Sequence, residues 1–142
     1  LNISKMAAAI GASRNTVYTY LHYLERANLL ISVWGEGKNA AVMAKPEKLY
    51  LSNTNNFYAL SNTPDLGTLR ETFFVSQLQQ SHEVRYPTKA DFLIDNHLLF
   101  EIGGPGKTTK QIKHASDAYL AVDDIEHGRG KRIPLWLFGF LY

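Results

Sequence analysis

Cysteine is absent from the 142 residues of this chain, which excludes a disulfide framework and any thiolate metal site and fits a reducing, cytoplasmic setting. No apolar run approaches the roughly 20 residues that span a bilayer, and no signal peptide heads the sequence. No membrane partner is therefore expected. Low-complexity stretches and internal repeats are missing, and the histidines (His22, His82, His97, His114 and His127) lack a metal-ligand spacing such as H-x-x-x-H. A heavy basic stripe is missing as well. Residues 1–50 hold six Lys/Arg against three Asp/Glu and residues 51–142 hold nine against ten, so electrostatic affinity for nucleic acid is expected to be modest. What is present is 45% apolar and 20% charged side chains, enough for one ordinary core or two small ones.

The first third of the chain carries a helix-turn-helix pattern. Ala7 is small enough for two helices to cross closely, Gly11 supplies a left-handed turn residue, and Val17 plugs the second helix into the same core. Ser13 caps that second helix, and Val17, Leu21 and Leu24 form its apolar stripe. Arg14, Asn15, Tyr18, Thr19 and His22 are expected to face outward, and Arg, Asn and Thr are side chains that bond base edges or phosphates. The strand Leu30–Trp34, the glycine-bearing turn 35–39 and the apolar run Ala40–Met43 read as a wing. Residues 1–47 thus predict a winged helix, with Arg14, Asn15, Thr19 and Lys38 as its candidate contacts to duplex DNA. A protein-docking or oligomerising module has the same pattern, so both uses stay open. Such a motif leans on a preceding helix, and Leu1 is not an initiator methionine, so the chain is expected to be the C-terminal region of something longer.

Residues 48–142 predict an α/β unit of order α-β-β-β-α-β. It has a helix over 66–78, strands near 82–86, 90–95 and 98–102, a helix over 108–120 with Ile112, Ala115 and Tyr119 inward, and a buried strand over 133–138. The turn Asp95-Asn96-His97 joins two of the strands into a hairpin. Asp91 then opens one strand and Glu101 closes its partner, placing two carboxylates near one end of the hairpin. Glu71 on the preceding helix can add a third. Hard carboxylate oxygens with water and substrate phosphate suit Mg²⁺, which can polarise a phosphodiester and activate water. Acids at this spacing are also common in any α/β chain.

Five segments taken together resemble the C-terminal region of a widespread group of prokaryotic AAA+ ATPases whose role is unassigned, in which a winged helix precedes a PD-(D/E)XK nuclease-like domain. They are Lys48–Asn53, Gly67–Val75, Lys89–Ile94, Phe100–Gly103 and Pro134–Tyr142. The resemblance implies a restriction-endonuclease-like fold for residues 48–142, an upstream ATPase domain as partner, and an ATP site outside this sequence. It also implies metal ligands at Asp91, Glu101 and Glu71 and a catalytic set of Asp91, Glu101 and a lysine. In the family that lysine follows in Glu-Val-Lys, whereas this chain has Glu101-Ile102-Gly103. Lys89-Ala90 replaces the acid before Asp91, and Asn53 stands where an aspartate is usual. Lys107 or Lys110 must swing back if the lysine role survives, and a flexible loop positions charge poorly. The expectation is therefore an accessory module that recognises DNA or a protein partner through a degenerate, inactive nuclease fold; the alternative is an active metal-dependent DNA nuclease.

Two further motifs carry less. Gly103-Gly104-Pro105-Gly106-Lys107-Thr108 looks like a phosphate loop, yet Glu101 occupies the place of its first glycine. Asp123-Asp124-Ile125-Glu126 beside Arg129, Lys131 and Arg132 reads as a solvated loop with local charge pairing.

Overall fold

A computed structural model of the chain describes residues 1–38, 45–60, 63–108 and 115–141. It begins with two helices, α1 (Ile3–Ile10) and α2 (Arg14–Arg26). Asn2 caps α1 by accepting from Lys5 N–H at 3.0 Å, and Gly11 ends it in the left-handed region, at φ 65°. Ser13 caps α2 by accepting from Thr16 N–H at 3.1 Å. The two helices close a small core of Ile3, Ala7, Val17, Tyr18 and Leu21. Two expectations change here. Tyr18 is buried rather than outward, and Leu24 is 38% exposed rather than part of the stripe, because Tyr18 lies one residue from Val17 on the side that meets α1.

The strands form one seven-stranded mixed sheet, so the chain is mixed α/β. Strand β1 (Leu30–Gly35) pairs antiparallel with β2 (Lys48–Leu51) and parallel with β3 (Val84–Tyr86). The wing strand expected at Ala40–Met43 lies outside the described residues. The sheet runs across the expected boundary at 47–48, since β1 joins strands from the second segment. Beyond β2 come a short helix, α3 (Asn55–Leu60), and a long one, α4 (Leu66–Leu78), whose Asp65 cap accepts from Thr68 N–H at 2.7 Å.

The sheet continues antiparallel through β3, β4 (Phe92–Ile94) and β5 (Leu98–Gly103), then parallel through β6 (Ala118–Val122) and β7 (Arg132–Pro134). The expected order α-β-β-β-α-β needs correcting in two places. Residues 109–114 of the expected second helix lie outside the described residues, but its end is strand β6. Ala118, Leu120 and Val122 alternate with Tyr119 and Ala121 onto the two faces of the sheet, a period of two that suits a strand buried on both sides. The expected strand over 133–138 stops at Pro134, which has no N–H for the ladder. A 3-10 helix, Leu135–Phe140, follows and turns Leu135 and Phe138, three residues apart, into the core.

The main core lies between α4, the 3-10 helix and the sheet. Phe74 sits at its centre, with ring centroids 5.3 Å from Phe92, 5.1 Å from Phe100 and 4.7 Å from Phe138. This aromatic packing fixes α4 over β4 and β5, and so places Glu71 above the end of the sheet that carries the acids. No helix among the described residues is long and apolar enough to cross a membrane.

Candidate functional site

The hairpin geometry decides where Asp91 and Glu101 go. Phe92 pairs with Phe100, and Asp91 N–H donates to the Phe100 carbonyl at 3.0 Å. Asp91 is thereby set beside Glu101. The Asp91 carboxylate accepts from Ile102 N–H at 2.8 Å, which fixes it against the neighbouring strand. The ammonium of Lys107 meets both acids, 2.6 Å from Glu101 Oε2 and 3.5 Å from Asp91 Oδ2. The lysine that meets the two acids thus comes from position 107, four residues beyond Gly103.

Exposure divides the three groups. The Glu101 side chain is 1% exposed, against 21% for Asp91 and 29% for Lys107, so a ligand can approach only over Asp91 and Lys107. Burial pushes the Glu101 carboxyl up; the Lys107 hydrogen bond opposes this, while the Asp91 and Glu71 charges add to it. Burial alone would lower the Lys107 ammonium, but its hydrogen bond to Glu101 and the two acid charges outweigh that and raise it.

Glu71 sits next to this trio in a second constellation. Its Oε2 accepts from Tyr50 Oη at 2.6 Å and from Lys48 Nζ at 3.0 Å, both from β2. Lys48 Nζ also lies 5.0 Å from the Tyr86 ring centroid. The Tyr50 hydroxyl is pushed far up by burial, by its bond to Glu71 and by the Glu71 and Asp91 charges, so it stays a proton donor. Sequence reasoning missed Lys48, Tyr50 and Tyr86; the period-two spacing of Lys48 and Tyr50 on one strand face was the available signal. Asp91 and Glu101 supply two hard oxygen groups of the kind Mg²⁺ takes together with water or a phosphate, with the Lys107 ammonium already seated against both. Among the described residues, no group of three or more acids or histidines is arranged to hold a metal ion; Glu71 is taken by Tyr50 and Lys48.

The candidate DNA contacts lie elsewhere. Arg14 and Asn15 are exposed at the start of α2, and Thr19 Oγ1 donates to the Asn15 carbonyl at 3.1 Å. Lys38 is exposed but forms an ion pair with Glu47, which holds the Glu47 carboxyl below its usual range. Lys110 and His114 lie outside the described residues. The acidic run 123–126 does not pair locally as expected, since Asp123 bonds Arg70 of α4 at 2.9 Å. Lys131 and Arg132 turn instead to backbone carbonyls, because the ends of β6 and the loop after β5 leave acceptors within their reach.

Comparison of the chain with family models, with curated proteins and with solved structures gives no match.

Proposed function

We propose that this chain is a metal-assisted phosphodiester-cleaving module of nuclease type, with the α1–α2 pair as its contact to duplex nucleic acid. The observation that carries the reading is the meeting of Lys107 with Asp91 and Glu101. It answers the main argument for a degenerate fold, the glycine at position 103. The finer picture, a winged helix joined to a restriction-endonuclease-like domain at the C-terminal end of an AAA+ ATPase, belongs to the same proposal and rests on the sequence resemblance.

In this reading Asp91 and Glu101 hold a divalent cation such as Mg²⁺, which when bound polarises the phosphate and lowers the pKa of water. Asp91, anchored by Ile102 N–H, is the more exposed of the two acids and the one that a ligand from solvent would meet first. Buried Glu101 contributes charge where water is excluded and electrostatics are strong. Lys107, held beside both acids, would present a placed ammonium to the phosphate oxygen that gains charge.

Cleavage of single- and double-stranded DNA with Mg²⁺ or Mn²⁺ tests this. Cutting is expected in the native chain and its loss in Asp91→Ala, Glu101→Gln and Lys107→Ala, by about 100-fold or more each. One observation favours a second reading: at 2.6 Å from Glu101, Lys107 already neutralises the acids as a cation would. The chain is then a recognition module for DNA or a protein, with a silent site. Absence of both cleavage and Mn²⁺ binding by calorimetry selects that reading.

A further inference from the structure

We propose that Arg132 is a positioning residue for Lys107, and that Gly103 is the clearance through which Lys107 reaches the two acids. The proposal rests on the reading of Asp91, Glu101 and Lys107 as a cleavage site. The segment from Gly103 to Lys107 contains three glycines, and glycine imposes little order on its own backbone. A charge on such a loop would ordinarily be poorly placed.

Four carbonyls of this loop are nevertheless held. Gly103 O accepts from Asp123 N–H at 2.8 Å, and Gly104 O accepts from Lys107 N–H at 3.0 Å. Pro105 O and Lys107 O accept from the two terminal nitrogens of Arg132, at 2.8 and 3.0 Å. A planar guanidinium bridging carbonyls two residues apart fixes the peptides between them, which a single ammonium cannot do. Arg132 is itself delivered by a strand: it pairs with Leu120 across β6 and β7, and its own N–H and carbonyl both bond Arg129 at 3.1 Å. On the other flank Arg70, tied to Asp123, closes against Gly104, where an added Cβ would lie 3.3 Å from its Nη1.

Gly103 does a different job. A Cβ at this position would lie 2.8 Å from Lys107 Cδ and 3.0 Å from Lys107 Cβ and Cγ. Carbon atoms do not approach so closely, and the clash reaches the root of the side chain, so it cannot be relieved at the tip alone. The glycine after Ile102 is thus the space that a lysine from position 107 fills. A side chain at 103 and the Lys107 stem exclude one another.

The test reads Lys107 directly, by mass-spectrometric footprinting with an amine-acylating reagent, alongside DNA cleavage with Mn²⁺. In the native chain Lys107 is expected to react several-fold more slowly than exposed Lys5. Arg132→Gln and Gly103→Ala should each raise Lys107 reactivity to the level of Lys5, with Arg132→Lys in between. In cleavage, kcat should fall about 100-fold with KM little changed. Unchanged Lys107 protection in Arg132→Gln overturns the role of Arg132, and unchanged protection in Gly103→Ala overturns the clearance. If Arg132→Gln does not fold, Arg132→Lys carries the first arm. Altered protection in the variants, with a native chain that does not cut, supports the positioning and sinks the nuclease reading. Cutting with protection unmoved in the variants sinks the positioning alone.

Discussion

The α1–α2 pair and the open end of β4 and β5 both carry groups suited to nucleic acid, and they are held in different ways. On α2, Arg14 and Asn15 stand in solvent on a helix that Ser13 caps locally, packed against α1, whose ends Asn2 and Gly11 set in the same local way. At the sheet end, Asp91, Glu101 and Lys107 are held by an adjacent strand, by a buried aromatic core and by an arginine 25 residues away from the lysine. A surface that docks a long polyanion needs charge with freedom to adjust. A site that handles one reacting phosphate needs charge that does not move. Under the proposed function, each region meets the condition that its part would require.

The largest expected difference between the two regions lies in what supports them. Phe74→Ala should cost about 3–5 kcal/mol of unfolding free energy, as cavities left by phenylalanine do. It should also loosen α4, and with it the Glu71, Tyr50 and Lys48 cluster. Leu21→Ala in the α1–α2 core, on the edge of a much smaller cluster, should cost about 2 kcal/mol. Denaturant titration of both variants checks the order, and an equal loss in the two would break the contrast.

Next in size is the effect on DNA binding. Arg14→Ala together with Lys38→Ala should leave the unfolding midpoint unchanged and reduce the slope of log affinity against log salt by up to about 2, since each phosphate that a side chain neutralises adds about one unit. Because Lys38 is already paired with Glu47, Arg14→Ala alone should produce most of this change. Binding to duplex DNA across a range of salt concentrations measures it; a native chain without salt-sensitive binding would leave the helix pair as a protein-docking surface.

The smallest effect concerns the turn that sets the register of the acids. Asp95 accepts from His82 Nδ1 at 2.7 Å and from Glu83 N–H at 2.9 Å. These bonds, the one to His82 first, hold its carboxyl below the ordinary value of 3.8. A carboxyl with a lowered folded pKa stabilises fully above its unfolded value and loses that contribution as pH falls through the folded one. Asp95→Asn should therefore lower thermal stability slightly at neutral pH, and the gap to the native chain should close as pH drops below 3.8. Melting curves at both ends of that window decide it.

Local features are legible in the amino-acid order. Ser13 and Gly11 set the ends of α2 and α1 through bonds within one turn of the chain. The Asp95-Asn96 turn, with both residues in the left-handed region, fixes the hairpin and so the nearness of Asp91 and Glu101. The burial of Tyr18 is not legible in the same way, because helical spacing names the neighbours of a side chain along its own helix but not the face that α1 covers. Ala118–Val122 resembles a helix end in sequence because an apolar run of that length carries no period strong enough to separate strand from buried helix.

Sequence by itself thus determined the capped helix pair, the α4 helix and the hairpin that sets Asp91 beside Glu101, because each depends on hydrogen bonds and apolar spacing within about a dozen residues. Tertiary structure decided that Lys107, one of two lysines the sequence offered, reaches both acids, that Glu71 turns to Tyr50 and Lys48, and that β1 joins the same sheet as β3 to β7. Those outcomes depend on contacts between distant segments, where parallel strand pairing and the packing of Phe74 bring Arg132, Gly103 and Lys107 together, and no local pattern in the chain encodes such a meeting.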